Sequence, residues 1–148
     1  MNPLDFTDKV VLVTGGVRGI GKEIADLFLS TNATVIVADK DKDSFEQTKD
    51  IDYQYLENYG GIHTLVNNAR GGDRACVETE SSKNWDLTFD VNLKGVFFLS
   101  RLSINLMKSS NIRGNIVNIS SVSGSFVSPE SPSYQLSKAG LEQLTRLL

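Results

Sequence analysis

The sequence has little cysteine, proline or histidine, and it has no long apolar run. One cysteine, Cys76, in 148 residues excludes an internal disulfide and suits a reducing, cytoplasmic setting. Cys76 itself reads as an inert small side chain rather than a nucleophile. No apolar run approaches the ~18 residues of a transmembrane helix. Met1-Asn2-Pro3-Leu4-Asp5 lacks a basic region leading into an apolar one, so no signal peptide is expected. Positive charge is not in excess: the net charge is −3, which points away from nucleic acid and from anionic membranes. The Asn-x-Ser/Thr triplets at Asn32 and Asn118 carry little meaning in such a setting. Repeats and low-complexity segments are absent, and no metal site is expected.

What is present is ordinary for a globular chain. Hydrophobic residues make up 40% and charged residues 22%, enough for one domain, residues 1–148, with a core of its own. Lys9 to Thr14 holds the β-branched run Val-Val-Leu-Val and reads as a buried parallel strand. A glycine cluster from Gly15 to Gly21 follows. Ile24, Ala25, Leu27, Phe28 and Leu29 then mark a helix ending near Asn32. Thr34 to Ala38 is a second strand with Asp39 at its carboxyl end. The polar stretch Asp41 to Gly61 predicts one helix closed by Gly60-Gly61. Ile62 to Asn67 is a third strand, followed by Asn68-Ala69-Arg70-Gly71-Gly72, and Gly71 to Ser82 is loop. A long helix runs from Lys83 to about Ser110. Gly114 to Ile119 is a fourth strand and Ser120 to Pro132 a Ser/Gly/Pro loop. A last helix runs from Ser133 to Leu148 and stops while its pattern is still apolar, which reads as a cut.

Two stretches carry chemistry. Tyr134 and Lys138 stand four apart and lie on one side of a helix. An ammonium beside a phenol favours the phenolate, one way to make a general acid/base that works near neutrality. The second stretch is the strand–glycine turn–helix–strand unit, with Asp39 standing 24 residues after Gly15. That is the context a dinucleotide fingerprint requires. Gly15, Gly19 and Gly21, with Arg18 and Ile20 between them, let the backbone turn tightly towards a pyrophosphate at a helix N-terminus. Asp39 can accept hydrogen bonds from both ribose hydroxyls of the adenosine.

Together these motifs resemble the classical short-chain dehydrogenase/reductase family. Thr14 to Gly21 matches its Thr-Gly-x-x-x-Gly-x-Gly pattern, and Asn67-Asn68-Ala69 matches its Asn-Asn-Ala-Gly turn. Asn92 matches its catalytic asparagine. Ser121 stands 13 residues before Tyr134, the family interval. The resemblance implies an α/β fold, a Rossmann-like doubly wound parallel sheet, here incomplete with about four strands. It implies hydride transfer between a nicotinamide cofactor and a small alcohol or ketone, the cofactor carrying the chemistry. Tyr134 would exchange a proton with the substrate oxygen. Lys138 would assist Tyr134 and bind the nicotinamide ribose, Ser121 would orient the substrate, and Asn92 would hold a water in a proton relay. Asn68 and Ala69 would join the glycine turn in binding the cofactor. Ser120 competes with Ser121, and only the spacing to Tyr134 chooses between them. Asp39 points to NAD because a carboxylate repels a 2′-phosphate; Arg18 and Lys40 speak for NADP. The family's helix-to-helix contact implies a homo-oligomer.

The chain departs from the family in four places. Between the second and third strands only 22 residues, Lys40 to Gly61, replace a helix, a strand and a helix, so one helix-and-strand pair is expected to be lost. The part beyond the Tyr134 helix, where the family keeps its substrate lid, does not follow. His63 stands where many members have Asp and reads as structural. Arg70 stands where the motif prefers Gly. A catalytically impaired nucleotide-binding or interaction protein is therefore the competing reading. The related epimerase type fits the glycine spacing less well.

Overall fold

The computed structural model describes residues 4–40 and 59–148. The helix expected over Asp41 to Gly61, and the lost helix-and-strand pair, lie outside the described residues apart from the end at Gly60-Gly61. The strands are β1 Val10–Thr14, β2 Thr34–Ala38, β3 Thr64–Asn67 and β4 Asn115–Asn118. The helices are α1 Gly19–Ser30, α2 Ser82–Phe89, α3 Val96–Ser109 and α4 Pro132–Leu147. A π-helical segment, Asp90–Gly95, joins α2 to α3, and a short 3₁₀ turn spans Val122–Gly124. Strand and helix positions follow the sequence reading to within one or two residues. The π segment was not foreseen, because side-chain periodicity shows where a helix runs but not which carbonyl each N–H chooses.

Two compact units make up the fold, Met1–Ala69 with Ser100–Val117 and Arg70–Leu99 with Asn118–Leu148. The first contains the sheet, in the order β2-β1-β3-β4. β1 is parallel to both neighbours, Leu12 lying opposite Ile36 on one side and Leu65 on the other. A central parallel strand is covered on both faces, which is why Val10 to Val13 are all apolar and all buried. Leu12, Val13, Ile62, Leu65 and Val66 form this unit's core. The strand order reverses at β1, so the carboxyl ends of β1 and β3 flank a topological switch point, where ligands of open α/β sheets bind.

His63 extends the pairing of β1 with β3. Its N–H donates to the Val10 carbonyl at 2.9 Å, and its ring Nδ1 accepts from the Val10 N–H at 3.1 Å. The imidazole takes the place of a ladder carbonyl, so the structural reading of His63 holds.

In the second unit Val96, Leu141 and Leu144 form the core, with Leu93 packed against them. Ser81 caps α2, its side chain accepting from the Asn84 N–H. Ser131 precedes α4 in a left-handed conformation, φ 58°, and Pro132 fills the first turn, where its missing N–H costs nothing.

Candidate active site

The glycine turn closes the carboxyl end of β1. Gly15 has φ 65°, a conformation that favours glycine. A Cβ on Gly21 would collide with the Gly15 carbonyl and the Asn68 amide, so α1 can begin this close to β1 only with glycine there. Asn68 donates its side-chain amide to the Thr14 and Gly15 carbonyls, both at 3.0 Å. The Thr14 hydroxyl accepts the N–H groups of Asn68 at 3.0 Å and Ala69 at 3.1 Å and lies 3.4 Å from the Val66 carbonyl. Asn68, which the resemblance placed among the cofactor-binding residues, thus uses its side-chain amide to shape the turn. Arg18 is the N-cap residue of α1 with extended backbone and no side-chain cap. Gly19, Ile20 and Gly21 form the first turn of α1, whose N–H groups lack intrahelical partners. Asp39 follows β2, and its Oδ2 accepts the Val17 N–H at 3.2 Å. The carboxylate therefore borders the glycine turn, as its spacing required.

The second unit holds the tyrosine and lysine. Tyr134 and Lys138 occupy successive turns of α4, and the Lys138 nitrogen lies 5.7 Å from the centre of the Tyr134 ring. Lys138 is buried, at 4% exposure, and its Nζ donates to the Ile119 carbonyl at 2.6 Å. Burial, and secondarily the positive charge of Arg70, push its pKa below the usual lysine range. Ser120 and Ser121 engage different partners. The Ser120 hydroxyl donates to Glu142 at 3.2 Å. The Ser121 oxygen accepts the Ser123 N–H at 3.2 Å, which leaves its own O–H to donate elsewhere. A polar cleft of about 510 Å³ opens beside Tyr134, lined also by Arg70, Arg74, Ser123, Glu130 and Gln135.

Asn92 is fully buried in the π segment. Its Oδ1 accepts the Gly71 N–H at 2.8 Å. Its Nδ2 donates to the Gly71 carbonyl at 3.4 Å and to the Ser137 hydroxyl at 3.1 Å. Both amide protons are committed to the protein, so the side chain fixes the Gly71 loop and α4. Asn84 does the same one element earlier. It accepts the Asp73 N–H at 2.7 Å and donates to the Asp73 carbonyl at 3.1 Å. Between them Thr88 is buried and donates to the Asn84 carbonyl at 2.7 Å. Opposite, Ser133 donates to Glu80 at 2.7 Å and lies 3.4 Å from the Thr88 hydroxyl. Sequence reasoning missed Asn84, Thr88, Ser133 and Ser137. The trace they left is a spacing of four between small polar residues, Asn84 to Thr88 and Ser133 to Ser137, which other polar residues of the same helices mask.

Comparison with known proteins follows the same lines. A family model described as short chain dehydrogenase matches residues 9–51 and 41–148. The two pieces overlap over residues 41–51, between β2 and β3. The 3-oxoacyl-(acyl-carrier-protein) reductase FabG of Thermotoga maritima is 34% identical over 163 aligned residues, covering 93% of this chain and 65% of the relative. That alignment is longer than the 148-residue chain, so the relative has residues with no counterpart here. The NADP-dependent (R)-specific alcohol dehydrogenase of Lentilactobacillus kefiri is 32% identical, covering 93% of this chain and 64% of the relative. A solved short-chain dehydrogenase from Streptomyces avermitilis superposes with a TM-score of 0.85 at 26% identity, covering 99% of this chain and 60% of that one. The chain thus spans a little under two thirds of these relatives.

Proposed function

Because the chain belongs to the short chain dehydrogenase family, whose curated relatives here are named as oxidoreductases, we propose that it serves hydride transfer between NAD(H) and a small alcohol or ketone. The observation that carries this reading is Tyr134 opening into a polar cleft with Lys138 buried one turn behind it. Tyr134 exchanges the proton with the substrate oxygen. Lys138 holds positive charge behind the phenol, and Ser121 offers its O–H to the substrate. Asn92 acts as a positioning residue through Gly71 and Ser137. The nicotinamide group, when bound, supplies the hydride. Gly15, Gly19, Ile20 and Gly21 present backbone to its pyrophosphate, with Arg18, Asn68 and Ala69 around them.

NAD rather than NADP is supported by Asp39, whose carboxylate at the edge of the glycine turn disfavours a 2′-phosphate. The NADP-dependence named for the Lentilactobacillus relative makes NADPH the necessary comparison. The reading includes a homo-oligomer and a cytoplasmic setting, with neither nucleic acid nor membrane as partner.

The test pairs fluorescence titration with NADH and NADPH against steady-state oxidation of NADH on a panel of diketones and quinones. Saturable NADH binding, with turnover abolished by Tyr134→Phe, is expected. Binding without turnover would favour the impaired, nucleotide-binding reading, and binding of neither cofactor would overturn the hydride-transfer reading and leave the interaction protein.

A further inference from the structure

Arg70 lines the Tyr134 cleft on a loop held firmly against α2 and the π segment. Asn92 pairs with the backbone of Gly71 and Asn84 with that of Asp73, each accepting an N–H and donating to a carbonyl of its partner residue. A Cβ on Gly72 would run into the Thr88 hydroxyl, so the loop lies directly on the helix. The backbone under Arg70 is therefore preorganised, yet the turn makes no use of its side chain. Among the described residues the Arg70 guanidinium has neither a hydrogen bond nor an ion-pair partner. The other arginine of the cleft, Arg74, has Glu130 at 3.7 Å.

Four charged side chains line this cleft: Arg70, Arg74, Asp73 and Glu130. Their charges balance in sum. Arg74 is answered by Glu130, which leaves Arg70 as the cation of the lining without a carboxylate against it among the described residues. Its charge disfavours the Lys138 ammonium, second to burial. The rest of the lining includes Ser123, Ser128 and Gln135, and Tyr134 supplies its one aromatic ring. An apolar ketone would gain little there, whereas a hydroxylated molecule would meet donors and acceptors.

We propose that Arg70 is a specificity-determining residue that binds a carboxylate on a hydrophilic, hydroxylated substrate in the Tyr134 cleft. The inference rests on the reading of Tyr134 as the proton-transfer group for placing the reacting carbon, but not for the anion contact. A guanidinium meets a carboxylate with two parallel N–H···O bonds. A bound carboxylate would also neutralise the charge that Arg70 places near Lys138.

The test compares D-gluconate with D-glucitol, which differ in one carboxylate against one hydroxymethyl group. Binding of each is measured by saturation-transfer NMR, with and without NADH, to the intact chain and to Arg70→Gln and Arg70→Lys, with circular dichroism confirming that each is folded. Gluconate is expected to bind roughly tenfold tighter than glucitol, the worth of a charged hydrogen bond. Arg70→Gln should remove that difference and leave glucitol unchanged, while Arg70→Lys retains part of it. Equal affinities, a preference that survives Arg70→Gln, or binding of neither probe would overturn the proposal. Turnover is scored separately: an Arg70-dependent gluconate preference with neither NAD+ reduction on gluconate nor NADH oxidation on the diketone and quinone panel would sustain the anion site and sink the dehydrogenase reading.

Discussion

Asn92 was marked by its place in a family pattern, and the structure explains what the side chain does. It satisfies a buried backbone N–H and carbonyl on Gly71 and a hydroxyl on Ser137. Asn92→Ala strands the Gly71 N–H, and an unsatisfied buried donor costs about 1–3 kcal/mol. Urea denaturation should show a loss of that size, and Tyr134-dependent turnover should fall with it. A loss confined to turnover would mean that Asn92 acts on the substrate instead. His63 offers a cleaner reading, because it is the only histidine. Burial, then the nearby Lys9, lowers its pKa in the folded state. The neutral ring accepts from Val10, and protonation at Nδ1 removes that acceptor. Its contribution is therefore complete above the unfolded pKa of ~6.5 and is lost as pH falls through the lower folded value. Denaturation midpoints at pH 5 and pH 7.5 should differ more for the natural chain than for His63→Gln. A parallel decline in both would assign the pH dependence to the carboxylates.

At the scale of elements, two features depend on small residues at close approach. The start of α1 sits against the Gly15 carbonyl, and Gly21→Ala would push it away. Overpacking of this kind costs about 1–3 kcal/mol, and here it also moves the N–H groups of the first turn. NADH affinity should fall at least as steeply as stability, which a titration beside a thermal melt would show. A chain that melted lower but bound NADH normally would place the cofactor away from this turn. The second feature is the polar seam of Asn84, Thr88 and Asn92 with Ser133 and Ser137. Each of Ser133 and Ser137 immediately precedes a residue of the Tyr134–Lys138 pair. Hydrogen bonds along the seam admit fewer alternative registers than Leu and Val contacts would, so they set where the pair comes to lie. The π segment belongs to the same design, since π turns inside helices accompany functional sites.

For the whole molecule, the open question is association. Trp85, Leu87, Phe97 and Phe98 are each between 38% and 46% exposed, and Phe97 and Phe98 meet edge to face at 5.3 Å. A homo-oligomer would cover such residues, as the resemblance implied. Sedimentation equilibrium should return a multiple of 16.2 kDa, and Phe97→Ser with Phe98→Ser should shift it towards the monomer. A natural chain that sediments at 16.2 kDa would end the oligomer reading.

Among the described residues, the sequence alone determined the strands, the course of the helices and the positions of the glycine turn, Asp39, Tyr134 and Lys138. These are local matters: an apolar period, a glycine where a Cβ cannot fit, a spacing of four along a helix. It also marked Arg70 and His63 as departures without saying what they do. The tertiary structure alone decided that Asn68 spends its amide donors on backbone and Asn92 on Gly71 and the Ser137 hydroxyl, that His63 completes a ladder, that Ser120 and Ser121 part company, and that Arg70 lines the Tyr134 cleft. A hydrogen bond between residues far apart in the chain does not name its partner in the sequence. Its partner is chosen by which backbone groups the folded chain leaves unsatisfied, and that is known only once the chain has folded.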